Sequence, residues 1–183
     1  MRKKMKKLIL SELEDNFQVI SKEEQVLYIG GRRVYLTFGE NGSLQVNRVE
    51  TSCNLFETLV LNGYELRVDR HTWEHLERGT GSMFVGQKVF GFLAGNSNVE
   101  WGMAIQHSGS AKIFTDGNRD KIGMLASPNT KIWVHSHPSC CDLSDEDKRM
   151  ARDYAGKQHF LWYNGQFRQF YEFGFIGNWR CYL

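Results

Sequence analysis

"KIWVHSHPSCCDLSDEDKRMA", residues 131–151, contains an apolar run that ends in two histidines and is followed by a serine and several acids. The apolar start of the segment predicts a buried strand, and Pro138 ends it. Side chains at positions i and i+2 of a strand lie on one face, so His135 and His137 can reach a single ion at the strand end. The alternative is an ordinary polar loop, because two histidines at a strand end are also a common surface feature.

A helix is expected directly after this loop. Ser144 is a good N-cap residue, and it places three acidic residues, Asp147 among them, in the first turn near the positive end of the helix. Asp147 lies one step inward, so its carboxylate can turn back toward the histidines. Two imidazole nitrogens and one carboxylate oxygen leave a fourth tetrahedral position open, as in catalytic zinc sites. His135, His137 and Asp147 are therefore candidate metal ligands, and the alternative is that S-D-E-D is an ordinary helix-capping sequence.

The composition is that of a globular protein with one core. The chain has 183 residues, of which 41% are hydrophobic, and this suffices for one buried core. The net charge is +2 with acids and bases mixed along the chain, which gives no electrostatic basis for binding nucleic acid. No apolar run approaches the roughly 20 residues that cross a bilayer, so stable membrane insertion is not expected.

The first 31 residues differ from the rest. They open basic and then carry apolar residues at helical spacing, interrupted by acids in a way that argues against a Sec signal peptide. They end in Gly30-Gly31 and resemble the double-glycine leader of bacterial secreted peptides. That resemblance implies cleavage after Gly31 by a peptidase-containing ABC exporter, and a secreted chain that begins at Arg32. The alternative is an amphipathic helix that ends at a glycine in a cytoplasmic protein.

Alternating apolar residues predict two hairpins after the leader. The first covers residues 32–50 around Asn41-Gly42, and the second covers residues 55–68 around Asn62-Gly63. Further along the chain, periodicity and turn residues predict a short helix that ends at Gly79 and a second helix over residues 84–95. Five strands are predicted after these helices: a pair in 98–106 and 111–115, a third strand in 131–137, and two last strands in 159–164 and 168–175. The fold class is therefore α/β, a mixed β-sheet flanked by helices and preceded by β-hairpins.

The segment around the histidines resembles the signature of the JAMM (MPN+) metallopeptidases. That signature is a glutamate, then H-[ST]-H-P, then S-x-x-D; residues 135–138 read H-S-H-P and residues 144–147 read S-D-E-D. The gap between the two motifs is one residue shorter than is usual in the family. The resemblance covers roughly residues 80–175, and "VFGFLAGNSNVEW" is similar to JAB-like domains of bacterial polymorphic toxins. It implies a JAMM/MPN-type fold, a bound Zn²⁺ and an oxyanion stabilised by Ser144.

The catalytic glutamate of the resemblance has two candidate positions. The literal match to the family's E-x-x-G-x-L-x-G is "KVFGFLAG", which places Lys88 where the glutamate belongs and would make the protein a pseudoenzyme. The favoured alternative is Glu100 in "NVEWGMAI". There Glu100 shares a strand face with Gly102 and Ala104, two small residues that leave room for a substrate. A helix over residues 84–95 would precede it, in the order that the family has.

The expected activity is hydrolysis of a peptide or isopeptide bond by an exported effector or toxin. The expected organisation is a leader at 1–31, a β-hairpin region at 32–79 and a JAMM-like metallopeptidase domain at 80–183. The rival function is a secreted binding protein that keeps the JAMM fold without catalysis, and a nucleic-acid enzyme is a distant third. The partners implied are a peptide or protein substrate and the ABC exporter.

Four cysteines complete the set of reactive side chains: Cys53, Cys140, Cys141 and Cys181. They lack a paired C-x-x-C spacing and so do not form a zinc-finger set. A disulfide from Cys140 or Cys141 to Cys53 or Cys181 is plausible in an exported protein. The sequence leaves the pairing open.

Overall fold

A computed structural model describes residues 31–40, 42–52, 56–123 and 127–179, which form two mixed sheets and three helices. The predicted leader residues 1–30, Asn41, Cys53 and Cys181 lie outside the described residues. The predicted α/β class is confirmed at this level. Among the described helices, none is both long enough and apolar enough to cross a bilayer.

The N-terminal sheet has four strands, and both predicted hairpins are confirmed. Its strands are β1 (Gly31–Phe38), β2 (Leu44–Ser52), β3 (Glu57–Leu61) and β4 (Tyr64–Val68), in the order β2-β1-β3-β4. The hairpin pairs β1/β2 and β3/β4 are antiparallel, and β1 and β3 pair in parallel between them. In the second turn, Asn62 and Gly63 both have positive φ, 52° and 83°, as a two-residue hairpin turn requires.

The two helices after this sheet also agree with the sequence. Helix α1 (Thr72–Arg78) ends at Gly79, whose φ of 81° lets its N–H bond back to the carbonyls of His75 and Leu76. Helix α2 (Met83–Gly95) buries one side against the sheets. The boundary predicted between residues 79 and 80 falls between α1 and the next strand.

The second sheet has seven strands and carries the two histidines at its centre. Its members are β5 (Gly81–Ser82), β6 (Gly102–Gln106), β7 (Ser110–Phe114), β8 (Thr130–Ser136), β9 (Gln158–Tyr163), β10 (Gln166–Tyr171) and β11 (Gly174–Trp179). The order is β11-β10-β9-β8-β6-β7-β5. Strands β8 and β9 pair in parallel, because helix α3 (Asp145–Asp153) crosses over between them.

The strand predicted over residues 168–175 is confirmed only as far as Tyr171, where β10 ends. The chain turns at Glu172 and Phe173 and returns as β11, antiparallel to β10. The turn is closed by Gly174 at a φ of 124°, a conformation that other residues rarely adopt. The apolar residues on both sides of this turn continue through it, which is why the sequence pattern reads as one strand.

One hydrophobic core joins the two sheets. Leu59 of β3, Phe90 of α2 and Trp101 before β6 are each fully buried and belong to the same cluster. The ring of Phe38 at the end of β1 lies 6.2 Å from that of Trp101. The N-terminal hairpins therefore pack directly on the part of the chain that holds the histidines.

A buried ion pair fastens β1 to the rest of this core. The Arg32 guanidinium lies 2.5 Å from Glu57, whose side chain is 0% exposed, and 2.6 Å from Glu74 of α1. The other oxygen of Glu57 accepts a hydrogen bond from the Trp73 backbone N–H at 2.9 Å. Removing the cation would leave the Glu57 carboxylate buried without a partner charge.

Arg32→Ala is therefore expected to lower the free energy of unfolding by about 3–5 kcal/mol, the usual cost of breaking a buried pair from one side. Arg33→Ala is the matched control, because Arg33 pairs with Glu65 on the surface, where such pairs contribute about 0–1 kcal/mol. Urea unfolding of the two variants measures both values. Equal losses in the two variants would contradict the assignment of Arg32 to a buried network.

Candidate metal centre

The sheet and helix α3 bring His135, His137 and Asp147 together. His135 is the penultimate residue of β8, His137 follows the strand end, and both imidazoles are buried. The two Nε2 atoms are 3.2 Å apart. Asp147 places one carboxylate oxygen 3.1 Å from His135 Nε2 and the other 3.5 Å from His137 Nε2. The three predicted ligands thus face one point.

These separations fit a tetrahedral cation. Ligand atoms at about 2.0–2.1 Å from a tetrahedral zinc lie about 3.3–3.4 Å from one another, and the three observed distances of 3.1, 3.2 and 3.5 Å bracket that value. His135, His137 and Asp147 therefore form a group that could hold a metal ion, with zinc as its predicted identity.

Ser144 caps α3 and holds the Asp147 carboxylate. The Ser144 hydroxyl accepts a hydrogen bond from the Asp147 N–H at 3.1 Å and donates one to Asp147 Oδ2 at 2.7 Å. The Ser144 N–H donates to the same oxygen at 2.8 Å, which completes a capping box. The helix start thus orients a candidate ligand. In this arrangement the single Ser144 hydroxyl proton is used by Asp147, so donation to an oxyanion requires the hydroxyl to rotate.

The Asp147 carboxylate and the His137 imidazole stabilise each other's charged forms. Burial acts to raise the pKa of Asp147, but hydrogen bonds from His135, His137 and Ser144 outweigh it and hold that pKa well below its usual range. Burial acts to lower the pKa of His137, and the Asp147 and Glu100 carboxylates raise it above its usual value. The ring of His137 also bonds to the backbone of Asp142, a contact of the kind that fixes ligand histidines in place.

Glu100 lies beside this group and is 6% exposed. Its Oε1 is 3.7 Å from His137 Nε2. Its prediction as a strand residue is wrong, because β6 begins two residues later, at Gly102. The backbone of Glu100 bonds instead to a loop: its N–H donates to the Asn118 carbonyl at 2.8 Å, and its carbonyl accepts from the Thr115 hydroxyl at 2.6 Å. This clamp aims the carboxylate at the metal centre.

Burial raises the pKa of Glu100 to about 7. The nearby His137 lowers this pKa, while the Asp147 carboxylate and two further acids, Asp116 and Asp120, raise it. A cation held by the three ligands would add positive charge close to Glu100 and favour its ionised form.

The loop that clamps Glu100 rests on the N-terminal sheet. The Thr115 hydroxyl accepts a hydrogen bond from the Gly117 N–H at 3.1 Å. A Cβ added to Gly117 would lie 1.8 Å from the carbonyl oxygen of Gly42 in the β1–β2 turn, and Gly117 has a φ of +75°. Glycine at 117 thus allows two backbones to touch. The first hairpin supports the Glu100 loop through this contact, which no local sequence pattern indicates.

Lys88, the alternative occupant of the glutamate position, lies elsewhere. It is exposed on α2 and lines a shallow cleft with Phe56 and Asp69. The structure therefore brings Glu100, and not Lys88, to the histidines.

The candidate metal centre opens into a cavity of about 490 Å³. One wall is the loop that follows Thr115, and the other is the segment between Pro138 and Ser144. The open space expected over Gly102 is filled: a Cβ there would lie 2.4 Å from the ring of Phe114. Gly102 therefore makes room for an aromatic ring of the protein itself, which corrects the sequence prediction.

Two further groups line the cavity without a predicted role. His159 on β9 is buried, and its Nε2 lies 3.1 Å from the Tyr154 carbonyl oxygen. Burial lowers the pKa of His159. Cys140 places its sulfur 3.9 Å from His137 Nδ1. Cys140 and Cys141 are exposed free thiols in the structure, and the two cysteines considered as their disulfide partners lie outside the described residues.

Comparison of the chain with protein-family models, with curated proteins and with solved structures gives no significant match.

Proposed function

We propose that this chain is a zinc-dependent hydrolase of peptide or isopeptide bonds, of the JAMM type. The observation that carries the proposal is the position of the Glu100 carboxylate, 3.7 Å from a ligand nitrogen of an open His-His-Asp group. A closed structural zinc site has four protein ligands and needs no such carboxylate. Three donors, a neighbouring base and a cavity are the parts that hydrolysis requires.

The order of elements supports a JAMM/MPN-type fold. Helix α2 precedes Glu100, strand β8 delivers the two histidines, and the start of α3 delivers Asp147. This is the order that the resemblance implies. The N-terminal hairpins precede these elements and pack on them through the shared core.

The protein groups divide the chemistry between them. Zinc, when bound, would lower the pKa of water toward 7 and polarise a carbonyl. Glu100 is placed to accept a proton from the attacking water and to deliver it to the leaving nitrogen. The Ser144 hydroxyl, once rotated away from Asp147, would donate to the developing oxyanion. His135 and His137 would hold the ion through their Nε2 atoms, which lie 3.2 Å apart.

Metal removal and return test the proposal. The full chain is incubated with a mixture of internally quenched peptides and with a lysine isopeptide substrate. We expect cleavage that 1,10-phenanthroline abolishes and that about one equivalent of Zn²⁺ restores. Cleavage that persists in the chelator would contradict a zinc mechanism, and absence of cleavage of both substrates by the zinc-loaded chain would contradict hydrolysis.

One observation favours the rival function, a catalytically inactive JAMM-fold binding protein. The Ser144 hydroxyl proton is bound to Asp147 and does not face the cavity as a free donor. Zinc binding alone does not separate the two functions, because an inactive protein could keep the ion. Turnover by the wild type, lost when Glu100 is neutralised, separates them.

Export through a double-glycine leader is part of the proposal, with an effector or toxin as the product. In the structure Gly31 is the first residue of β1 and pairs with Ser52, and Arg32 is held by Glu57. Because the bond between residues 31 and 32 lies inside a paired strand, an exporter peptidase would have to cut it before the sheet forms.

We therefore expect a chain co-expressed with a matching exporter to appear in the medium with Arg32 at its N-terminus. Gly30→Ile should keep the chain inside, because it removes one glycine of the pair at which such leaders are cut. Edman sequencing of the secreted chain identifies the N-terminus. Secretion of an uncut chain, or cleavage at another residue, would contradict the leader and favour a cytoplasmic protein.

A further inference from the structure

The sheet surface next to the metal centre is aromatic. Gly102 of β6 pairs with His135 on one side and with Phe114 on the other. Since Gly102 has no side chain, the Phe114 ring lies over it, on the Glu100 side of the histidines. Trp133, two residues before His135 on the same face of β8, meets this ring edge to face with centroids 6.5 Å apart. Phe114 and Trp133 form what we name the aromatic floor.

The aromatic floor belongs to the same cavity as the metal centre. Both rings line that cavity together with Glu100 and His137. Phe114 is half-buried, so part of its ring is free to contact an occupant, and Ile122 of the loop that follows Thr115 adds apolar surface. Neighbouring strands lie about 4.8 Å apart, so Phe114 is about 10 Å from His135 across two strands. One residue of an extended peptide and its side chain span that distance.

We infer that the aromatic floor is a subsite for a bulky apolar side chain, aromatic or aliphatic, next to the scissile bond of the substrate. The inference rests on the proposed function and adds its substrate class. The subsite is lined by apolar side chains: Phe114, Trp133 and Ile122. A charged substrate side chain would lose its hydration there without gaining a partner of opposite charge. The charged residues of the loop, Arg119 and Lys121 with Asp120, are exposed and of both signs, so they do not select for one charge.

Hydroxamates test the subsite without requiring turnover, because all of them bind zinc through the same group. The probes are acetohydroxamate, 3-phenylpropionohydroxamate and succinohydroxamate, titrated calorimetrically into the zinc-loaded full chain. We expect the phenyl compound to bind roughly ten- to a hundredfold more tightly than acetohydroxamate, because its ring is transferred from water to the apolar surface of the aromatic floor. The carboxylate of succinohydroxamate should give no such gain.

Phe114→Ala should reduce the advantage of the phenyl arm to about twofold or less, because most of the contact surface is lost. Phe84→Ala is the matched control: Phe84 is 74% exposed on α2 and should leave the advantage unchanged. Ile122→Ser, in the loop, provides a second variant if circular dichroism shows that Phe114→Ala does not fold, and it should reduce the advantage severalfold.

The outcomes separate this inference from the proposed function. If acetohydroxamate and the phenyl compound bind the wild type equally, the subsite is overturned and the metal centre stands. An advantage that survives unchanged in the Phe114 and Ile122 variants also overturns the subsite. If no hydroxamate binds and the chain holds no zinc, the metal centre itself fails, and both the proposed function and the subsite fall with it.

Discussion

Glu100→Gln is expected to lower peptide or isopeptide hydrolysis by roughly 10²- to 10⁴-fold, the range that general acid–base catalysis contributes. Glutamine keeps the size of the side chain and its contact with His137, but it cannot accept a proton from water. Glu100 is not one of the three ligands, so zinc content should stay at the wild-type level. Initial rates with the substrate that the wild type cleaves best, compared with zinc measured by mass spectrometry, test both expectations.

Lys88→Gln is the control for this variant. It neutralises the other residue that the family pattern proposed for the glutamate position, and Lys88 lies exposed on α2, outside the metal centre. Its hydrolysis rate should match that of the wild type. A rate for Glu100→Gln within a fewfold of the wild type would remove Glu100 as the base. The inactive binding protein would then be the better account of the chain.

The grouping of His135, His137 and Asp147 could be predicted from the sequence because it depends on local geometry. Strand alternation places His135 and His137 on one face, and the N-cap at Ser144 fixes where Asp147 enters the helix. Both rules act within a few residues and need no knowledge of distant contacts. The sequence did not indicate that the Asp147 carboxylate is itself part of the capping box. The N-cap hydrogen bonds therefore also orient this candidate ligand.

Glu100 was harder to place because its position depends on contacts far along the chain. Strand alternation assigned it to β6, but its backbone bonds to Thr115 and Asn118 in the loop after β7. That loop in turn touches Gly42 in the first hairpin. A pattern that is local in sequence cannot predict hydrogen bonds and contacts between three segments that are far apart along the chain. The position of the Phe114 ring over Gly102 was not predicted for the same reason. The small residues Gly102 and Ala104 indicate open space when the neighbouring strand is not known.

The wild type is expected to bind about one zinc ion per chain. Replacing His135 and His137 together by alanine is expected to abolish this binding. The double variant keeps only Asp147 of the three candidate ligands, and one carboxylate cannot replace two imidazole nitrogens for zinc. The wild type should gain thermal stability when zinc is added, because an ion that binds the folded state shifts the unfolding equilibrium by mass action. The double variant should show no such gain.

The matched control is His71→Ala with His75→Ala, which removes the histidine that precedes α1 and one within it, both outside the candidate metal centre. It should keep the full zinc content and the zinc-dependent rise in melting temperature. Both variants are measured after dialysis against zinc-free buffer, by mass spectrometry and by calorimetric melting. Full zinc occupancy in the His135/His137 variant would show that the ion binds elsewhere. In that case the 3.2 Å approach of the two imidazoles would belong to a polar cluster that packs the strand end, and the hydrolase would lose its centre.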